Sequence, residues 1–149
     1  MKPVRHASLL LVLIVALSGA SCKTNETPIP VTGVYRLKSI VLADAQPAVI
    51  KEAPESYPIT LILDQFGIAT VESYCNTGSG YYSCDDDDDG LFEIINLTMT
   101  EKHCQIDDPL DWEAIFVYNL RLAEEFDLTG DELTIFSSGE YHLNLMRNQ

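Results

Sequence analysis

The sequence predicts a mainly β domain: a small antiparallel barrel-like sheet or sandwich of about eight short strands, with one helix packed against it. Three observations carry that expectation. Runs rich in β-branched and aromatic residues recur between turn residues along most of the chain. One segment alone has helical periodicity. No βαβ alternation and no internal repeat is present, which favours an antiparallel sheet plugged or covered at one end by the helix.

The chain opens with Lys2 and Arg5, runs through apolar Leu9 to Leu17, and reaches Gly19-Ala20-Ser21 before Cys22. That is the layout of a secretory signal peptide over residues 1–21, with an apolar run too short for the roughly 20 residues a membrane-spanning helix needs. The small residues before Cys22 resemble the lipobox of bacterial lipoproteins, in which the cysteine is acylated and becomes the mature N-terminus; Gly19 stands where that pattern usually has Leu. Lipidated Cys22 is therefore the expected membrane anchor, whereas ordinary cleavage after Ala20 would leave it a plain thiol. Residues 22–32 read as the lipidated end and its polar, Pro-containing tether, and residues 33–149 as a single domain. Lys23 does not match the Asp that serves as an inner-membrane retention signal, which favours the outer membrane.

Removing residues 1–21 takes two of the nine Lys and Arg and none of the 23 Asp and Glu, so the remaining chain carries −16. Such a charge excludes nucleic acid, which needs a basic footprint to displace counterions. It also disfavours docking on anionic lipid through the protein surface. A solvated acidic face is the default reading, with a divalent cation or a basic protein partner beside it.

The first strand is expected at Val34 to Leu42, followed by a connection with three prolines. Ile59 to Asp64 pairs with Gly67 to Ser73 across a short hairpin turn. Gly80 to Ser83 and Leu91 to Leu97 are two further candidate strands, flanking an aspartate run. In the helical segment Trp112, Ile115, Phe116, Leu120 and Ala123 recur at helical spacing, with Asp108 expected as N-cap and Pro109 at the first helical position. Three to four helical turns follow, then strand at Phe126 to Thr129. Glu132 to Phe136 and Tyr141 to Met146 close the chain around a Ser-Ser-Gly-Glu turn.

The stretch YCNTGSGYYSCDDDDDG from Tyr74 to Gly90 holds most of the candidate chemistry. Asp85, Asp87 and Asp89 before Gly90 reproduce the start of an EF-hand calcium loop, but position twelve is Asn96 in place of the bidentate Glu, and no helical pattern flanks it. The run reads more simply as a hairpin tip with weak, nonspecific divalent binding. If Cys22 is acylated, Cys75, Cys84 and Cys104 remain, an odd set in an oxidising compartment, so one disulfide and one leftover thiol are expected. No zinc spacing is present. His103 beside Cys104 could in principle form a nucleophile pair, and His142 lies on a strand's more polar side. No Ser elbow, phosphate loop or paired-carboxylate spacing points to catalysis, and no cofactor or metal is expected.

Cys75-Asn76 followed by Gly78, Gly80 and Tyr81, then Thr100 before Cys104, Glu113, Phe116 and Leu120 on a helix, and Leu128, Gly130, Asp131 and Leu133 resemble the META domain, or HslJ-like family. The resemblance spans about Val34 to Arg147. Tyr74 replaces the usual Gly before Cys-Asn, and Lys102 the usual Met. It implies a small β-barrel-like fold of lipocalin type with a packed helix, in proteins that are often envelope lipoproteins linked to stress, without established catalysis. It also implies that Cys75 pairs with Cys104, leaving Cys84 as an addition of this chain, and that Asn76, Gly78 and Gly80 shape a turn.

The expected function is that of a non-enzymatic, membrane-anchored lipoprotein of the bacterial envelope, with an envelope protein as partner and a role in stress tolerance or envelope maintenance. The alternative is an acidic inhibitor or sequestering partner of a basic enzyme such as a lysozyme. A small-ligand carrier using the barrel mouth is a third reading.

Overall fold

The computed structural model describes residues 31–85, 90–105, 108 and 110–148. The described residues form nine strands and one helix: β1 Gly33–Leu42, β2 Ile50–Glu52, β3 Thr60–Leu63, β4 Ile68–Glu72, β5 Thr77–Cys84, β6 Phe92–Met99, α1 Trp112–Arg121, β7 Ala123–Thr129, β8 Glu132–Ser137 and β9 Tyr141–Arg147. They make one antiparallel sheet in the order β6-β5-β4-β3-β1-β9-β8-β7, with β2 paired to the second half of β1. The sheet curls into a half-barrel, so the expected fold class holds. Its two edges, β6 and β7, meet through a single bridge between Leu91 and Glu125, where the Phe126 N–H donates to Gly90 O at 2.7 Å.

The alternation of side chains decides the inner face. Tyr35, Leu37, Leu61, Leu63, Ala69, Val71, Phe92, Leu133, Ile135, Leu143 and Leu145 all point inward and are buried. Two bulges correct the phase. On β1 the register shifts between Leu37 and Ser39, so Ser39 and Ile40 are both buried. On β6 the two residues between Ile95 and Thr98 oppose only Gly80, between Ser79 and Tyr81 on β5, with Asn96 in the left-handed region at φ 55°. Asn96 thus serves a bulge between two strands, which is no place for the last ligand of a calcium loop. An uninterrupted strand would have turned Leu97 to solvent; the bulge returns it to the core.

That bulge demands Gly80. A Cβ there would lie 2.8 Å from Ile95 O and 2.9 Å from Leu97 Cα, both backbone atoms. Gly78 and Gly80 therefore do not shape a turn, as the resemblance implied: they are strand residues of β5 that let β6 approach. The turn proper is Ser73 to Asn76, closed by the Ser73 N–H on Asn76 O at 2.9 Å.

The segment joining β6 to β7 must cross the open side of the curl, and α1 is what fills the opening. Trp112, Phe116 and Leu120, at i, i+4 and i+8, are buried among β6, β8 and β9. The helix starts later than expected: Asp111, not Asp108, is the N-cap, accepting from the Ala114 N–H at 3.0 Å, while Asp108 accepts from the Leu110 N–H at 2.8 Å. Pro109 lies outside the described residues. The helix also ends early. Ala123, which has helical spacing in the sequence, begins β7 because it pairs with Ser137, and the Ser138 N–H reaches Leu122 O at 3.0 Å. Tertiary pairing overrides local propensity here. The proline-bearing connection likewise contains the three-residue β2.

Gly80→Ala should cost about 1 to 3 kcal/mol of unfolding free energy, since the added carbon meets backbone that cannot rotate away. Gly130, at φ +64° with nothing within 4 Å of the place a Cβ would take, should accept Asn with a change near zero. Urea denaturation of the two variants separates steric crowding from backbone preference.

Candidate functional site

The polar residues converge on Asn76, just before β5, which is buried. Its side-chain oxygen accepts from the Lys102 N–H at 2.7 Å and the Thr100 hydroxyl at 2.9 Å; its amide nitrogen donates to Glu113 Oε1 at 2.6 Å. Glu113, in the first turn of α1, turns its second oxygen toward the Asn76 N–H at 3.1 Å and the Ser73 hydroxyl. Ser73 Oγ in turn accepts from the N–H groups of Cys75 and Asn76. One amide and one carboxylate thereby tie together the β4–β5 turn, the segment after β6 and the start of the helix. Charge-assisted bonds of this kind are the stronger ones.

The Cys75–Cys104 disulfide staples the same three-way junction, with Cα atoms 5.9 Å apart and a sequence separation of 29. Its Cys75 sulfur sits 3.3 Å from Lys102 O; a bridged sulfur has no proton, so this is a contact and not a donated bond. Since Cys104 is bonded to Cys75, it forms no nucleophile pair with exposed His103. At Lys102 the chain holds the junction through its backbone while the side chain is exposed, which accommodates Lys where the family usually has Met. Tyr74, in place of Gly, packs on Tyr57 with ring centroids 4.9 Å apart. Burial, followed by the nearby carboxylates of Asp111 and Glu113, pushes its hydroxyl up to about 12.

A second cluster clamps the other end of α1. Asn119 is buried; its side-chain oxygen accepts from the Ser137 hydroxyl at 3.1 Å and the Tyr141 N–H at 2.9 Å, and its nitrogen donates to Ile115 O. Gly139 is required beside it, because a Cβ would collide with Asn119 Oδ1. Sequence reasoning missed Ser73, Asn119 and Ser137. Their only signal is polarity at positions that the strand and helix periods assign to the interior.

Of the remaining sequence candidates among the described residues, only His142 touches either cluster. Asp87, Asp89 and Cys22 lie outside the described residues. Asp85 follows β5, its N–H donating to Leu91 O at 3.0 Å as in a hairpin. Among the described residues no group of three or more His, Cys, Asp or Glu is arranged to hold a metal ion. Cys84 is half-buried at the end of β5 and keeps its thiol. His142 Nδ1 accepts from the Ser137 N–H at 3.2 Å, a bond within the β8–β9 hairpin. Among the described residues the interior between the sheet and the helix is filled by Tyr35, Phe92, Phe116 and aliphatic side chains, so a small ligand would find no room inside that core.

Asn76→Ala should lower stability by about 2 to 4 kcal/mol, because it strands the Lys102 N–H and part of the Glu113 carboxylate. Loss of the disulfide in Cys75→Ser/Cys104→Ser should cost about 3 to 4 kcal/mol in the chain-entropy model. Because the folded state holds the Tyr74 proton more tightly than the unfolded chain, stability should fall as pH rises from the ordinary tyrosine value of 10.0 toward about 12. Tyr82, also raised by burial, contributes in the same direction. Thermal melts between pH values of about 9 and 12 should show a shallower decline in Tyr74→Phe than in the parent.

The arrangement can be set beside known proteins. The META domain family model matches residues 30–149. No curated protein matches the chain. Among solved structures, a protein from Burkholderia xenovorans determined by NMR is similar over 99% of both chains, at 18% identity and a TM-score of 0.64. A DUF4847 family protein from Bacteroides vulgatus is similar over 83% of this chain and 96% of its own, at 14% identity and a TM-score of 0.57. At those identities the structural likeness shows the fold alone. The family match covers the whole half-barrel, both clamps and the disulfide, and the chain therefore belongs to the META-domain family.

Proposed function

We propose that this chain is a lipid-anchored META-domain protein of the bacterial envelope that acts by binding, in stress tolerance or envelope maintenance, and not by catalysis. The observation that carries the reading is the Cys75–Cys104 bond: disulfides persist in oxidising compartments and are rare where thiols are kept reduced. It agrees with an exported chain, as the apolar run before Cys22 also suggests. Val31 is fully buried in the core, so a tether from Cys22 to the domain would run over the residues before it.

Binding is favoured over chemistry because the most concentrated polar groups are consumed in holding the fold. The Glu113 carboxylate accepts from Ser73 and from two groups of Asn76, and the Asn76 and Asn119 amides are spent on backbone and helix. A second reading, a sequestering partner for a basic enzyme, is favoured by the distribution of charge. Between Lys51 and Lys102 the chain contains no Lys, Arg or His and eleven Asp or Glu.

Expressed in a bacterium with labelled palmitate, the full chain should incorporate label and sediment with membranes. Cys22→Ser should abolish the label and release the protein to the soluble periplasmic fraction. Unchanged sedimentation of an unlabelled Cys22→Ser protein would defeat the anchor.

A further inference from the structure

The outer face of β4, β5 and β6 carries a row of apolar side chains that the core does not use. Ile68 stands directly opposite Tyr81, and Tyr81 directly opposite Ile95. Directly opposed residues share a face, and these are exposed: 38% for Ile68, 60% for Tyr81 and 40% for Ile95. Phe66, 76% exposed, lies two residues before Ile68 at the tip of the β3–β4 hairpin. Single exposed apolar residues are ordinary, but three directly opposed across three neighbouring strands form a patch of the kind that marks an interaction surface.

Charge selects the occupant. Exposed Glu93 lies two residues from Ile95 on the same face of β6, and exposed Glu125 stands opposite Leu91 where β6 meets β7. Strands β3 to β6 all fall within the fifty residues from Glu52 to Glu101 that hold no basic side chain. The described Lys and Arg sit elsewhere: Arg36 and Lys38 on β1, Lys51 on β2, Lys102 in the crossing after β6, Arg121 at the end of α1, Arg147 on β9. An apolar row bordered by uncompensated carboxylates repels a second copy of itself and repels anionic lipid. It complements an apolar patch surrounded by Lys and Arg.

We propose that the outer face of β4–β6, centred on Tyr81 and Ile95, is the docking surface for a cationic protein, its apolar row forming the contact and its acidic border steering the approach. This rests on the binding reading above and names the surface and the partner's chemistry. Steering by the border should appear in the association rate and its salt dependence, the apolar row in the dissociation rate.

The test uses the full chain with its signal segment processed, and a lysozyme as the cationic probe, with succinylated lysozyme as its charge-reversed control. Surface plasmon resonance at low and at physiological salt should show binding to the former and none to the latter. Tyr81→Thr/Ile95→Thr, which keeps strand propensity and charge, should weaken binding about tenfold or more, chiefly by faster dissociation. Glu93→Gln should slow association and flatten its salt dependence, while Tyr118→Thr on the exposed side of α1 should change nothing. Far-ultraviolet dichroism and melting confirm that each variant folds.

Lysozyme binding that ignores the Tyr81/Ile95 change would overturn this surface while leaving the binding reading intact. Absence of binding to lysozyme at low salt would overturn the cationic occupant. Two further results would reassign the face: dimerisation in solution that Tyr81→Thr/Ile95→Thr abolishes would give it to a second copy, and uptake on anionic vesicles lost in the same variant would give it to the membrane.

Discussion

The fold depends on how an eight-strand path deals with its two edges. A backbone edge left open is a template for pairing with other chains, and here β6 and β7 share only the bridge at Leu91 and Glu125. The segment that connects these edges in sequence runs across the gap between them, so the covalent chain does what backbone pairing does not. For that to work, the crossing must be fixed at both ends. Asn76 with the disulfide fixes its start, and Asn119 with Ser137 and Tyr141 fixes the end of its helix. Arg121 adds a direct tie, its guanidinium donating to Leu97 O on β6 at 3.0 Å.

Burying an amide is costly unless each of its donors and acceptors is met, and met amides specify a unique arrangement that apolar contacts alone do not. In both clamps the amide oxygen accepts two bonds and the amide nitrogen donates to a partner. The disulfide acts on a different state: it narrows the unfolded ensemble, whereas Asn76 and Glu113 stabilise the folded junction through bonds that exist only there. The two effects converge on one place because that is where the turn before β5, the chain leaving β6 and the entering helix meet.

Strands β1, β3, β4, β6, β8 and β9, with parts of β5 and β7, were legible from β-branched and aromatic runs between turn residues, and α1 because Trp112, Phe116 and Leu120 repeat with a helical period. What was not legible has a common physical origin. The bulge at Asn96, the close approach of β6 that Gly80 permits, the early end of α1 before Ala123 and the three-residue β2 are each decided by a partner strand distant in sequence. The choice between Asp108 and Asp111 as N-cap turns on where the crossing meets the sheet, since both residues offer the same local chemistry. Ser73, Asn119 and Ser137 are polar residues at interior positions, a pattern that signals a buried network only once the neighbours are known.

The same bulge bears on the outer surface. Adjacent Ile94 and Ile95 cannot both face inward on a pleated strand; with Ile94 in the core, Ile95 is delivered to solvent beside Tyr81. Burial of Ile94 therefore explains where Ile95 points but not why an isoleucine occupies an outward position, since Thr would satisfy the strand equally well and leave no apolar surface. Tyr81 and Ile68 raise the same question at the same level of the sheet. The row lies on three strands paired to one another, so a partner that covers it need not first order unpaired backbone on this side. An apolar row on strands that lack any basic side chain is what a docking face requires and what the interior has no use for.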